Sequence, residues 1–471
     1  MARRTGILLL MCAALGLGAQ EKANPRKAAP GESTDNTIKF YQGRIGRDPD
    51  DFFNYDKLGA AYIRKARETG DVAYYNLAEA VLRKSLDLES THREAIAATA
   101  HLASVYFSEH RFNDALAYAE KALSFGTGDL SPHATIGDAL LEMGEYERAS
   151  TAYSHLRQRE GDLAPHSGLV YLLETRNSTL QFMRGEPQDS IRHMRKAVQL
   201  ASEAQMPEES IAWTQFTLAE ELFQVGDLPG AEQANQDALK TYPQYHRAWA
   251  GLAKVRGAQG RLSEAAELYR RALAVVPMPV YAAALGDVYT KMGMPAEARK
   301  QYDLVEFIAR LSAISKNVFN RELALFYADH DIKLKEALEF AQEELKVRKD
   351  IYTWDCLAWA LYKNGRLDEA AGAMSKAMAL NTKDALLSFH AGMIYLGLKE
   401  DKKARDYLKG SLAMNPQFHV IYADLARQEL REIDARIGAE AQAREERPIQ
   451  TSRDSWLERS SPIDRGGHPL C

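Results

Sequence analysis

Residues Trp213 to Pro277 read WTQFTLAEELFQVGDLPGAEQANQDALKTYPQYHRAWAGLAKVRGAQGRLSEAAELYRRALAVVP, and the same pattern occurs in this stretch twice. In each copy, small and apolar residues recur every three or four positions along two segments, which predicts two amphipathic helices. A glycine separates the two segments, and a proline ends the copy. Gly226 and Gly260 are 34 positions apart, and so are Pro243 and Pro277. A fixed period of this length predicts an array of stacked structural repeats.

The pattern continues on both sides of this stretch. Two helices that pack about 8–10 Å apart need small side chains where they touch, and most of the first helices carry such a residue at a corresponding position. These residues are Gly59, Ala103, Gly137, Ala219, Ala253, Gly286, Ala324, Ala358 and Gly392. The unit within residues 157–206 departs from the pattern, because its first helix has no clear small residue.

The repeated unit resembles the tetratricopeptide repeat, in which two helices meet through small residues. The resemblance extends over residues 37–437, where a short helix at each end is expected to cap the array. It implies an all-α fold, a right-handed superhelical solenoid of antiparallel helix pairs, with about ten repeats. It also implies that the first helix of each pair lines a concave groove, where ligands of this family usually bind.

The sequence outside the array divides into three segments. Residues 1–19 are predicted to be a signal peptide, because Arg3 and Arg4 precede an apolar run that ends in small residues. This run is about half the length that spans a bilayer, so we expect no stable membrane span after cleavage. Residues 20–36 are predicted to be a flexible linker and residues 438–471 a disordered tail.

These segments predict an exported, bacterial-type member of the family, either periplasmic or secreted. The alternative is a chain tethered to the membrane through an uncleaved N-terminal segment. In an oxidising compartment, the terminal Cys471 could form a disulfide between molecules.

Composition and motifs narrow the possible functions. The formal net charge is −5 with both signs interspersed, which argues against a nucleic-acid partner. Cys12, Cys356 and Cys471 form no Cys/His cluster at metal-ligand spacing. No phosphate loop, nucleophile elbow, HExxH or dinucleotide motif occurs. We therefore expect no catalytic residues, no metal site and no cofactor, and the sequence outside the repeats is too short for a catalytic domain.

Aromatic and charged residues of the first helices are the candidate site, because they are predicted to point away from the contacts within each pair. Large rigid rings often anchor peptide or helix ligands. The predicted groove residues are Trp213, Phe216, Glu220, Phe223, Arg247, Lys254, Tyr352, Asp355, Trp359, Tyr362, Phe389 and Met393. The alternative is that these rings pack against neighbouring repeats.

The sequence thus predicts a non-enzymatic scaffold in the cell envelope that binds a protein or peptide partner in its concave groove. Two alternatives remain open. The chain could be a regulatory subunit of an envelope enzyme or of a secretion or assembly complex. It could also bind an extended glycan through groove aromatics such as Trp359 and Tyr362. Self-association is a further possibility.

Overall fold

The computed structural model describes residues 33–90, 95–126, 128–157, 168–314 and 320–445. Within these ranges the regular structure consists of 22 α-helices and no β-strand. The predicted signal peptide, most of the predicted linker and the end of the predicted tail lie outside the described residues.

The helices run from the N-terminus to the C-terminus as α1 (Thr34–Arg47), α2 (Phe52–Thr69), α3 (Ala73–Leu88), α4 (Ile96–Ser108), α5 (Phe112–Ser124), α6 (Ser131–Glu142), α7 (Tyr146–Arg157), α8 (Gly168–Met183), α9 (Pro187–Glu203), α10 (Glu208–Gln224), α11 (Leu228–Thr241), α12 (His246–Ala258), α13 (Leu262–Val275), α14 (Pro279–Lys291), α15 (Pro295–Ile314), α16 (Asn320–Asp329), α17 (Leu334–Val347), α18 (Ile351–Lys363), α19 (Leu367–Ala377), α20 (Ala385–Gly397), α21 (Asp401–Met414) and α22 (Tyr422–Glu445). The ten pairs from α2/α3 to α20/α21 are repeats 1 to 10, flanked by α1 and α22. The prediction of an all-α superhelix of helix pairs is confirmed.

Local sequence fixes where the helices begin and end. Gly226 and Gly365 stand at turns between paired helices with φ of +78° and +73°, a backbone conformation that glycine adopts without steric cost. Asp227 begins α11 by accepting a hydrogen bond from the Gly230 amide at 2.9 Å. Asp350 begins α18 in the same way, with the Tyr352 amide at 2.7 Å.

The predicted small residues lie where paired helices touch. Ala253 and Ala358 are fully buried. At Gly286 there is no room for a side chain, because a Cβ atom would collide with the Tyr302 ring of the paired helix. A Cβ at Gly392 would lie 2.7 Å from the Leu408 side chain. Close packing of this kind explains why these positions are Ala or Gly.

The first helices of successive repeats also contact one another directly. Such contacts join α10 to α12, α16 to α18 and α18 to α20. The inner side of the superhelix is therefore itself a packed interface, and much of its surface is not open to solvent.

The superhelix meets itself at an offset of five repeats, along a line that we call the seam. The acceptors are carbonyls in the last turn of the first helix of one repeat. The donors lie in the loop that follows the repeat five positions later in the array, so repeat 3 meets the loop after repeat 8. The Glu142 carbonyl accepts from the Lys349 amide at 2.9 Å, and the Met183 carbonyl accepts from the Thr382 hydroxyl. Carbonyls at helix C-termini lack partners within the helix, so the seam supplies partners for them.

The ends of the array differ from the prediction by a few residues. Helix α1 begins at Thr34, inside the predicted linker, and Ser33 caps it. Helix α22 continues to Glu445, beyond the predicted array boundary at residue 437. Among the described helices, none combines the length and the apolar content needed to cross a membrane.

Candidate functional site

An axial cavity lies where one whole turn of the superhelix surrounds its own axis. Its volume is about 90 Å³. Each repeat from 5 to 10 contributes to the wall, as do four residues that precede α22. The wall is formed by Phe223, Gln224, Ala253, Lys254, Gly257, Ala258, Tyr269, Ala284, Val288, Arg321, Leu325, Tyr352, Asp355, Asp384, Leu386, Leu387, Gln417, Phe418, His419 and Val420. A mostly apolar wall with a few polar groups is typical of a binding site.

The segment Asn415–Tyr422, which we call the strap, closes this wall. The Asn415 side-chain amide donates a 2.6 Å hydrogen bond to the Phe223 carbonyl of repeat 5. The Tyr422 hydroxyl donates to the Asp329 carboxylate of repeat 8 at 2.8 Å. His419 caps α22, since its Nδ1 accepts from the Tyr422 amide at 3.1 Å. The strap thus connects repeats that are far apart in sequence.

The charged groups in the cavity wall are already paired with protein groups. Lys254 donates to Glu220 at 2.9 Å and lies 4.2 Å from the centre of the Phe223 ring. Asp384 accepts from the Leu386 amide at 2.8 Å and so caps α20. Within the described residues the Tyr269 hydroxyl has no hydrogen-bond partner, and burial raises its pKa. The wall therefore offers a ligand apolar surface and neutral polar groups, among them the Tyr269 hydroxyl, rather than an unpaired charge.

Ion pairs, or hydrogen bonds between a carboxyl group and a histidine ring, join the first helices at every second junction between repeats. In each pair an acidic residue on an odd-numbered repeat meets a basic or imidazole group on the next repeat. The pairs are Asp56–His101 at 2.7 Å, Asp138–Arg176 at 2.7 Å, Glu220–Lys254 at 2.9 Å, Asp287–His330 at 2.8 Å and Asp355–His390 at 2.7 Å. Each of these five carboxyl groups thus has a partner on the next repeat.

The pKa of Asp56 shows how strong one such pairing is. Burial alone would raise the pKa of this carboxyl, but His101 and Lys57 outweigh burial and hold the pKa below its ordinary value. Burial likewise opposes protonation of His330, yet its bond to Asp287 raises the histidine pKa. These surroundings favour the carboxylate form of Asp56 and the protonated form of His330.

The twelve predicted groove residues do not form an open groove. Eight of them are buried, with 7% or less of their surface exposed: Trp213, Phe216, Glu220, Phe223, Asp355, Trp359, Phe389 and Met393. Arg247, Lys254, Tyr352 and Tyr362 are half-buried. The predicted orientation is corrected because the face that points away from the paired helix packs on the first helices of the neighbouring repeats. Phe223, Lys254, Tyr352 and Asp355 line the axial cavity.

Trp359 shows how neighbouring side chains cover a predicted groove residue. Its ring stacks on His390 at a centroid distance of 4.1 Å and on Tyr362 at 5.0 Å, and its indole N–H donates to Asp329 at 2.7 Å. Phe389 stacks on Tyr422 of α22 at 4.8 Å. A sugar ring needs an uncovered aromatic face, so the predicted glycan contact at Trp359 is not available in this structure.

Two segments of the sequence, residues 216–278 and 357–417, match a sequence model of the tetratricopeptide repeat family. The chain contains tetratricopeptide repeats. The predicted resemblance is thereby confirmed, and the first segment coincides with the stretch that shows the 34-residue period. The comparison with curated protein sequences gives no significant match.

Solved structures that resemble this tetratricopeptide repeat protein include three examples. The APC/C hetero-tetramer Cut9–Hcn1 has 15% identity and a TM-score of 0.31, covering 85% of this chain and 90% of that chain. Yeast Tom70 has 13% identity and a TM-score of 0.41, covering 88% and 96%. MamA has 22% identity and a TM-score of 0.30, covering 38% and 96%. At these identities and TM-scores, the likeness indicates neither a partner nor an activity for this chain.

The sequence did not point to several residues that build the cavity of this tetratricopeptide repeat protein. Tyr269, Arg321 and the strap come together only because the superhelix closes, which a repeat period does not encode. The sequence does contain one indication of the strap. Pro416-Gln-Phe-His matches Pro243-Gln-Tyr-His, the segment that begins repeat 6. Among the described residues no group of three or more metal-binding side chains occurs.

Proposed function

We propose that this protein is a non-enzymatic interaction scaffold that binds a segment of a protein or peptide partner in its axial cavity. The observation that carries the proposal is the cavity itself, which one full turn of repeats surrounds. Proteins of the tetratricopeptide repeat family bind protein or peptide partners, and the wall is mostly apolar with its charges paired. We expect a bound segment with apolar or aromatic side chains and little net charge.

A display experiment tests this proposal. A library of random peptides is selected on the purified protein, and the selected peptides are then tested on variants. Ala258→Trp places a large ring on the cavity wall and should abolish binding. Ala413→Trp is the matched control, because Ala413 is exposed on α21 outside the cavity, and it should bind like the wild type. Circular dichroism verifies that both variants fold.

The outcomes are distinct. Peptides that bind the wild type and Ala413→Trp but not Ala258→Trp support binding in the cavity. Peptides that bind all three proteins equally would place the site elsewhere on the superhelix and contradict the proposal. Failure to select any peptide from a diverse library would also count against it.

We further propose that the protein acts after export, in the cell envelope or outside the cell. The support is the N-terminal sequence, with Arg3 and Arg4 before an apolar run. Mass spectrometry of the protein from fractionated cells tests this. A chain that begins near Gln20 in the exported fraction is expected, and an intact chain in the cytoplasm would contradict it.

A further inference from the structure

The wall of the axial cavity contains one junction that sequence continuity does not hold. Repeats 5 to 10 follow one another along the chain, and the helices of consecutive repeats pack on each other. The strap and repeat 5 are 192 residues apart and meet through the hydrogen bond from Asn415 to the Phe223 carbonyl. Gly226 lies beside this bond, and a Cβ there would be 3.4 Å from the Met414 carbonyl.

The Asn415 side chain is held in the orientation that this junction needs. Its residue is 1% exposed. Its Oδ1 accepts a hydrogen bond from the Gln417 amide at 2.8 Å, which turns the NH₂ group toward Phe223. One amide thus organises the start of the strap and joins it to repeat 5.

The backbone of the strap differs from its counterpart in repeat 6. In Pro243-Gln-Tyr-His the helix α12 already begins at His246, whereas after Pro416-Gln-Phe-His the helix α22 begins at Tyr422. His419 replaces the missing helical turn by capping α22 through its side chain. Between α21 and α22 the backbone is not helical, so its first residues, Asn415 to Gln417, can shift while Phe418 and Tyr422 stay packed in the core.

We propose that the Asn415–Phe223 hydrogen bond is a latch on the axial cavity. When it breaks, the strap moves away from repeat 5 and the cavity admits a partner segment; when it forms again, the wall closes around that segment. This inference rests on the proposed use of the cavity as the binding site. It adds a gate, and it names Asn415 as the residue that controls the gate.

The gate can be tested without a ligand by measuring how fast a thiol in the wall reacts with N-ethylmaleimide. Ala284 lines the cavity and is 2% exposed, so Ala284→Cys places the thiol there. Cys12 and Cys471 are changed to serine. Cys356 stays, because it is fully buried and outside the cavity wall and so reports unfolding. Mass spectrometry follows the two thiols separately.

The latch is then removed in this background. Asn415→Ala should speed labelling at position 284 by about five- to tenfold, because losing one buried hydrogen bond raises the open population by about that factor. Cys356 should react as before. Asn415→Asp is a second latch variant, since it still accepts from the Gln417 amide but has no NH₂ donor.

Asn235→Ala is the matched control. Asn235 is also 1% exposed, but its amide donates to the Ala231 carbonyl within α11, at 2.9 Å. It should leave labelling at position 284 unchanged. Equal rates in the wild type and both Asn415 variants would overturn the latch, and so would parallel acceleration of both thiols, which indicates unfolding. Neither result depends on whether a peptide binds, so the proposed function is judged separately.

Discussion

The side-chain amide of Asn415 donates a 2.6 Å hydrogen bond to the backbone carbonyl of Phe223, 192 residues earlier in the chain. This contact belongs to a series. Lys349 meets Glu142 and Thr382 meets Met183 in the same way, each at an offset of five repeats. An array in which each repeat packs on its neighbours therefore gains a second set of contacts between its successive turns.

Gly144 and Gly260 occupy the same position in their repeats, but replacing them by alanine should destabilise the protein to different extents, because only Gly144 lies at the seam. Gly144 and Gly260 have φ of +78° and +75°, so replacement by alanine should cost each about 1 kcal/mol. At Gly144 the new Cβ would also lie 2.6 Å from the Lys349 carbonyl across the seam, whereas at Gly260 it meets nothing within 4 Å. Gly144→Ala should therefore lose about 1–3 kcal/mol more than Gly260→Ala. Thermal unfolding followed by circular dichroism measures both; equal losses would contradict the seam.

The pair between Asp138 and Arg176 should be costly to break. The two side chains are 0% and 1% exposed and 2.7 Å apart. Asp138→Ala leaves the guanidinium buried without its carboxylate, so we expect a loss of about 3–5 kcal/mol. Adding Arg176→Met should recover part of the loss, because no unpaired charge then remains.

An exposed pair provides the comparison. Arg366 and Glu369 also form an ion pair, but on the surface, where such pairs contribute little. Glu369→Ala should leave the melting temperature nearly unchanged. If Asp138→Ala and Glu369→Ala behaved alike, the buried pair would not be a stabilising junction.

Stability of the seam should fall as pH rises, because of Glu142. Burial raises the pKa of Glu142 to about 8, against the opposing influence of Arg348; Asp350, Glu344 and Arg321 also face it from repeats 8 and 9. The folded protein thus holds this proton more tightly than the unfolded chain does. The resulting stabilisation is complete below pH 4.5 and is lost as the pH rises toward 8.

The variant Glu142→Gln isolates this effect, since its amide stays neutral at every pH. The wild type and the variant should have similar melting temperatures near pH 4.5. As the pH rises to 8, the wild type should lose stability relative to the variant, which keeps a neutral amide where the Arg348 guanidinium approaches to 2.6 Å. Melting curves that stay parallel from pH 4.5 to 8 would show that Glu142 does not titrate in this range.

The sequence predicted the helix pairs well and the inner surface poorly, for physical reasons. The glycine and proline period and the small residues at helix contacts are local, and they were enough for the fold. Trp359 and Phe389 were placed on a groove because they point away from their own pair. Their neighbours His390 and Tyr422 belong to later helices, and only the curvature of the superhelix brings them into contact.

The cavity could be predicted only in part. Phe223, Lys254, Tyr352 and Asp355, which the sequence analysis named as groove residues, line the cavity. Asn415 was not identified, since its partner is a backbone carbonyl, and no side-chain pattern marks a carbonyl 192 residues away. A contact between repeats five positions apart depends on the small rotation from each repeat to the next, added up over five repeats.

The cavity, the proposed binding and the latch all depend on closure of the superhelix between repeat 5 and the strap. Spin labels at Gln233→Cys in α11 and Ala413→Cys in α21 measure this closure directly in the isolated protein with Cys12 and Cys471 changed to serine. Both positions are exposed, and their helices adjoin the contact between Gly226 and Met414, since α11 follows Gly226 and α21 ends at Met414. Electron–electron resonance should give one narrow distribution of short distances that dilution does not change. A broad distribution centred at long distances would show an open superhelix and would contradict the account.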